Sequence, residues 1–429
     1  MTPEIVTLLK SITDTEFIEL GEADVYWHKI YQVVDSSKPI YLLFPQTISA
    51  LAAIVTLASQ HQWRILICGH ASKINWGKIT EDIQLVVSTQ KCDRLIEHAV
   101  GDLTVTVEAG MKLADLQSKL RSHNQFLPLD NPHANATLGG IVATADAGSW
   151  RHRYGGVRDL LLGISFVRAD GKIAKAGGRV VKNVAGYDLM KLFTGAYGTL
   201  GIITQLTFRL YPWINTSQTI VLTGKAPQIA QATQMIRNSG LTPTAMDLLS
   251  ATVVHRLDLG SAMGLMIRWQ TIPESIQQQI FQVKAIAQQL GLTTDIYQDE
   301  LEEKLWQDCG KIINLPESAE TVTGKLGIAP SKAVELLAQI SDRHSHILAR
   351  VHAGSGLGRL QLQTNYELLE QMRSHCQQHQ GFLSILDAPS VVKQQIDVWG
   401  YSGNALKTME GIKNQFDPQN ILNPDRFMV

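Results

Sequence analysis

The stretch LICGHASKINWG, residues 66–77, leaves an apolar run through Cys68-Gly69-His70-Ala71-Ser72 and reaches Trp76-Gly77 almost at once. Glycine permits positive φ and close backbone approach. A buried strand that exits this way therefore presents either bare N–H groups to an anion or an ordinary tight turn with a hydroxyl cap. Upstream, IYLLFP (40–45) is a short apolar run closed by Pro45. TISALAAIVTLASQHQ (47–62) carries apolar residues at helical spacing, with Thr47 or Ser49 available as N-cap. RILICG (64–69) is a second buried strand, so residues 40–69 read as strand, helix, strand. The alternation continues through the strands IQLVVST (83–89) and LTVTVEAG (103–110) to the helix KLADLQSKLRSH (112–123), where Asp115 suits the dipole of the first turn.

From 131 to 210 the composition shifts. NPHANATLGGIVATADAGSWRHRYGG is rich in Ala, Gly and Thr, poor material for a core and good material for backbone packed close against a ligand. LLLGISFVRADGKIAKAGG (160–178) reads as a hairpin turning at Ala169-Asp170-Gly171, and GTLGIITQLTFRLYP (198–212) as a Gly-opened strand ended by Pro212. Beyond Pro212 strands and helices alternate to about residue 400, an α+β pattern, with no repeat visible in the sequence.

The bulk numbers bound the function. At 429 residues the chain exceeds what one core serves, so two or more domains are expected. With 45% hydrophobic and 18% charged residues it has the composition of a soluble globular protein. A net charge of −1 gives no electrostatic case for nucleic acid or an anionic membrane. Cys68, Cys92, Cys309 and Cys376 form no CxxC pair, which argues against a self-contained iron–sulfur cluster or zinc site, and a disulfide framework is not expected. The N-terminus has no basic-then-apolar leader, and SALAAIVTLAS (49–59) is too short to span a bilayer. A soluble, cytoplasmic chain is expected, with no transmembrane segment.

Five segments, in order, carry a resemblance: ICGHASKINWG; GDLTVTVEAGMKLADLQ; NATLGGIVATADAGSWRHRYGGVRDLLLG; GGRVVKNVAGYDLMKLFTGAYGTLGIITQLTFRL; and IDVWGYSGNALKTMEGIKNQFDPQNILNPDRF. Together they resemble the vanillyl-alcohol oxidase / p-cresol methylhydroxylase flavoproteins, and within them the smaller FAD-binding subunit of bacterial glycolate dehydrogenases. The resemblance implies a p-cresol methylhydroxylase-type FAD-binding domain of two α+β subdomains plus an α+β cap domain for substrate. The expected division is an N-terminal helical segment (1–35), the FAD domain (36–213), the cap (214–400) and a C-terminal helix and tail (401–429) returning to the FAD domain. The implied cofactor is FAD. The implied substrate is a small 2-hydroxy acid, glycolate or D-lactate. The implied partners are a larger FAD-binding sister subunit and an iron–sulfur subunit, through which the chain would associate with a membrane.

On this resemblance Cys68, Gly69, His70, Ala71 and Ser72 form the pyrophosphate turn, which matches the physical expectation that consecutive amides cradle an anion. Thr137, Gly139, Gly140, Ala143, Thr144 and Gly148 are expected against pyrophosphate and flavin, and Gly201 and Ile203 along the flavin or adenine pocket. Some relatives bond a histidine of this turn covalently to the flavin ring, and His70 falls at that place; a local hydrogen bond is the alternative. Lys182, Asn183 and Tyr187 either approach the cofactor or fix a loop. No metal is expected.

Oxidising a 2-hydroxy acid needs a base for the hydroxyl proton and a cation for the carboxylate, roles suited to histidine and arginine. ARVHAGSGLGRL (349–360) is the candidate stretch. The larger relatives read His-x-Gly-Asp-Gly-Asn-x-His here. This chain keeps His352, Gly354 and Gly356 but has Ser355, Leu357 and Arg359 at the remaining places. His352 and Arg350 are the catalytic candidates, with Arg359 and Arg268 as further cations; a structural histidine and arginines held in salt bridges are the alternative reading. A working dehydrogenase and a non-catalytic flavin carrier beside a catalytic sister both fit these residues. A nicotinamide-dependent reductase is a distant third, since no GxGxxG follows a strand.

Overall fold

The structure, a computed structural model, describes residues 2–179, 186–343 and 346–428. The chain forms two compact units. The first comprises Met1–Ala147, Gly156–Trp213 and Gly403–Val429, and the second Gly148–Gly155 and Ile214–Ser402.

Unit 1 holds two larger sheets and two two-stranded ones. In the four-stranded one, Tyr41–Pro45 and Ile65–Cys68 lie parallel to Leu85–Ser88 on either side of it, and Thr15–Glu19 closes one edge antiparallel to Tyr41–Pro45. The N-terminal segment, expected to be helical, is thus a helix (Thr2–Lys10) followed by a strand. Its short TEFIE pattern becomes a strand only because Tyr41–Pro45 offers an unpaired edge. Helix Ile48–His61 makes the crossover between the two parallel strands. Thr47, rather than Ser49, caps it by accepting the Ala50 N–H at 3.1 Å. Ala50, Leu51, Ile54, Val55 and Ala58 recur at helical spacing on its buried face, and the last four share a core with Leu43, Leu85 and Val87.

The second sheet of unit 1 is antiparallel, in the order Ile173–Gly177, Leu161–Val167, Ile202–Arg209, Thr104–Glu108, Leu95–Ala99. The expected hairpin is there, with Gly171 at φ +79° and its N–H donating to the Arg168 carbonyl at 2.9 Å. Residues 138–144 form a short helix capped by Thr137, an element the small-residue composition gave no sign of.

The C-terminal tail is tied into unit 1 by buried polar groups. Leu422 bridges Ile65 in parallel, extending the first sheet. Lys413 Nζ, beneath it, donates to Asp417 Oδ2 at 2.5 Å and to the Thr199 and Leu422 carbonyls at 3.0 Å each. Both side chains of the pair are almost wholly buried. Removing one partner of such a pair strands the other charge, so Lys413→Met should lower stability by about 3–5 kcal/mol in urea unfolding. An unchanged midpoint would show that the backbone carbonyls, not the ion pair, hold the tail.

Unit 2 is built on an eight-stranded antiparallel sheet ordered Thr293–Gln298, Ser217–Gly224, Met263–Gln270, Ala245–Leu249, Leu348–His352, Leu357–Gln363, Thr321–Gly327, Phe382–Asp387. In chain order each half reads strand–helix–strand–strand–helix–strand, apart from a one-and-a-half-turn helix, Ala251–Arg256, inserted in the first half. Each half is therefore a split βαβ unit. The halves join edge to edge where Ala245–Leu249 pairs with Leu348–His352, the second strand of each. The sequence shows no repeat, yet the topology repeats: the pattern of elements is duplicated without duplicated residues. Helix Asp299–Asn314 places Leu305, Cys309 and Ile313 against Val221, Leu249 and Leu348, forming a core on one face of this sheet.

Candidate functional site

In unit 1 the strand Ile65–Cys68 runs into the turn Gly69–Ser72, where Ala71 adopts φ +49°. A Cβ on Gly69 would lie 2.2 Å from Thr137 Oγ1, so the turn and the cap of helix Leu138–Thr144 are in contact only because residue 69 has no side chain. Gly139 plays the same part against Ala109, whose Cβ would stand 2.8 Å from an added one. Among the described residues, no protein acceptor takes the N–H of His70, Ala71 or Ser72. Three consecutive amides left this way at a small-residue turn make an anion-binding concavity.

The turn opens onto a cleft whose walls include Thr89, Thr137, Gly139, Gly140, Ala143 and Thr144, with Tyr197, Gly198, Gly201, Ile203, Asn423 and Arg426 completing it. Asn423 accepts the Ile67 N–H at 2.6 Å and donates to the Tyr197 carbonyl at 2.6 Å, locking the tail onto the strand that carries the turn. The guanidinium of buried Arg426 donates to the carbonyls of Ile74, Trp76 and Lys78 and so shapes the loop that follows the turn. Lys73, also on the wall, is paired with Asp146 at 3.1 Å, and Asn131 donates to the same carboxylate at 2.6 Å. Tyr26 donates its hydroxyl to the His70 carbonyl, tying the N-terminal segment to the turn.

Electrostatically the turn is quiet. Burial pushes the Cys68 thiol up to about 12, so it is no nucleophile. Burial, and next the Lys112 charge, lower the pKa of His70, leaving a neutral imidazole at pH 7. His70 also borders a second, polar recess with Lys91, Asp93, Lys112 and Asp115.

Unit 2 carries a separate constellation. Asp247, on Ala245–Leu249, pairs in register with His352 on Leu348–His352, across the seam between the two halves. Its Oδ1 lies 2.7 Å from His352 Nδ1, and its Oδ2 accepts the Ser149 hydroxyl at 2.5 Å, with Arg350 Nε at 3.7 Å. Burial works to raise the Asp247 pKa, but His352, Arg350 and the Ser149 hydroxyl outweigh it and hold the carboxyl below the usual range. His152 lies close enough that a Cβ on Gly354 would come within 2.7 Å of its Nδ1. Arg350 stands directly opposite Arg359, and Arg359 opposite Lys325, so three cations line one face of the sheet beside His352. Like charges directly opposite are unfavourable.

Cys68, Gly69, His70, Ala71, Ser72, Thr137, Gly139, Gly140, Ala143, Thr144, Gly201 and Ile203 converge on the one cleft. Gly148 does not line it. It opens the short segment Gly148–Gly155 that clusters with unit 2, because Ser149 is bonded to Asp247. Tyr187 is 87% exposed, while Lys182 and Asn183 lie outside the described residues. Arg268 is occupied by Glu302 at 3.1 Å and Ser217 at 2.8 Å, which accounts for it structurally. Asp247, Ser149, His152, Lys73, Asn423 and Arg426 were not legible as site residues. The one sequence signal for Asp247 is an acid inside the otherwise apolar AMDLL. Among the described residues, no group of three or more His, Cys, Asp or Glu could hold a metal ion.

Residues 39–177 match the family of the FAD binding domain, and residues 393–427 that of the C-terminal domain of FAD linked oxidases. The chain is similar to a probable mitochondrial D-lactate dehydrogenase of Danio rerio, 23% identical over 99% of this chain and 91% of that protein. It is also similar to the glycolate oxidase subunit GlcE of Escherichia coli (strain K12), 36% identical over 38% of this chain and spanning about half (47%) of that subunit. Among solved structures, p-cresol methylhydroxylase with substrate bound matches with a TM-score of 0.77 over 99% of this chain and 97% of that one, at 15% identity. That likeness speaks for the fold. No helix among the described residues is long and apolar enough to cross a membrane.

Proposed function

On the premise that this chain is an FAD-dependent oxidoreductase carrying the FAD binding domain and the C-terminal domain of the FAD linked oxidases, we propose that it oxidises glycolate or D-lactate to the 2-oxo acid. In this reading it is the flavin-carrying subunit of a cytoplasmic complex, passing electrons to a larger FAD-binding sister and an iron–sulfur subunit. The observation that carries the reading is the Gly69–Ser72 turn, with its three unclaimed amides facing a cleft walled by small residues. The residues fit the cofactor. A pyrophosphate completes the amides of His70, Ala71 and Ser72, while Gly139, Gly140 and Thr144 allow a flat ring system close to backbone. FAD, when bound, supplies the two-electron acceptor.

The rest of the chemistry falls to side chains of unit 2. His352 takes the hydroxyl proton of the acid, and Arg350 with Arg359 holds its carboxylate by charge-assisted hydrogen bonds. The relatives that act on D-lactate and glycolate support this substrate class. A second reading, a flavin carrier beside a catalytic sister, is favoured by Arg359, which stands where the longer histidine motif has its second histidine.

The test is an anaerobic titration of the purified chain with glycolate and then D-lactate, following the flavin's visible absorption. Bleaching is the expected result. A flavin that stays oxidised with both acids, and is reduced only once the sister subunit is added, would replace this reading by the second.

A further inference from the structure

We propose that Asp247 is the positioning residue for His352, holding the imidazole proton on Nδ1 and so leaving the Nε2 lone pair as the base; this rests on the role of His352 given above. An ionised carboxylate only accepts hydrogen bonds. Asp247 is fully buried with its titration held in the acid range, so it is ionised at neutral pH. A neutral imidazole with Nδ1 at 2.7 Å from that oxygen must donate from Nδ1 and carry its lone pair on Nε2.

The other carboxylate oxygen is already committed. Ser149 donates to Oδ2 at 2.5 Å and Arg350 stands 3.7 Å away, so Oδ1 is left for the histidine. The carboxylate can therefore neither rotate nor exchange its oxygens without giving up Ser149. The pair sits in direct register on the ladder that joins the two halves of the sheet, a rigid element on both sides. When the substrate O–H bond breaks and its proton moves to Nε2, the imidazolium that results is stabilised by Asp247, which stays ionised. Cys309, His152 and Arg350 are further titratable or charged neighbours of this cluster, with Arg359 opposite Arg350 and the Arg237 charge acting on His152. The Cys309 thiol, pushed up to about 11 by burial, stays protonated and adds no charge.

Two-bond proton–nitrogen spectra of the nitrogen-15-labelled holoprotein at neutral pH test this, with His352 assigned by the signals lost in His352→Gln. The expected result is a protonated Nδ1 and an unprotonated Nε2 at His352. In Asp247→Asn, the tautomer is expected to shift toward Nε2–H. Turnover should fall by about 100-fold or more with KM within about threefold, the pattern of an interaction made in the transition state. A proton on Nε2 in the unmodified protein, or wild-type kcat in Asp247→Asn, overturns the assignment. Should the asparagine variant fail to fold, the spectrum of the unmodified protein decides alone. If no 2-hydroxy acid reduces the flavin, the proposed reaction fails, while the spectrum still reports separately whether Asp247 holds the tautomer.

Discussion

Gly69→Val is expected to yield a folded but colourless protein. The first carbon alone would stand 2.2 Å from Thr137 Oγ1 and 2.7 Å from Thr137 Cγ2, and valine adds two methyls beyond it. Thr137 cannot simply step aside, because its hydroxyl accepts the Gly140 N–H at 3.1 Å and caps the helix that forms the opposite wall. The turn must therefore swing away from that wall, and the amides of His70, Ala71 and Ser72 lose their common focus. We expect flavin affinity to drop by at least about tenfold, which corresponds to about 1.4 kcal/mol. The ratio of visible to protein absorbance after gel filtration measures it. Gly101→Val is the control, since nothing lies within 4 Å of a Cβ at that position. A Gly69→Val protein that keeps its full yellow colour would remove the turn from the cofactor site.

His352→Gln should show the opposite signature: wild-type flavin content with turnover largely gone. Glutamine keeps a polar group beside the buried Asp247 carboxylate, so the fold should survive. What it cannot do is accept a proton. General-base catalysis contributes about 10²–10⁴-fold, and a loss of kcat/KM in that range is expected with glycolate or D-lactate and an artificial electron acceptor. Turnover within about threefold of the unmodified protein would take His352 out of the mechanism and favour the flavin-carrier reading.

These two sites were unequally legible in the sequence. The cleft at the Gly69–Ser72 turn could be found because its requirements are local. Gly69, Gly139 and Gly140 are glycines because a side chain would collide with a neighbouring wall or crowd the cap, and that need survives in the sequence as clusters of small residues. The hairpin at Ala169-Asp170-Gly171 and the strand–helix–strand run over 40–69 were equally readable, since turn chemistry and helical spacing act within a few residues. Helix Leu138–Thr144 was missed because its glycines lower helix propensity; the Thr137 cap and packing against the sheet override that. The strand Thr15–Glu19 was missed for the converse reason: five residues with weak alternation become a strand only when an edge is there to receive them.

The sequence by itself determined the α+β character and the small-residue turn at 69–72, properties written in short-range patterns of size and hydrophobicity. Only the tertiary structure decided that the Asp of AMDLL faces the His of ARVHAG. Those residues are 105 positions apart and meet through the edge-to-edge joining of two similar half-sheets. Strand Ala245–Leu249 is buried on both faces, so no alternation marks which way Asp247 points. Register across such a seam is set by packing and ladder hydrogen bonds between distant segments, and no local pattern of residues encodes it.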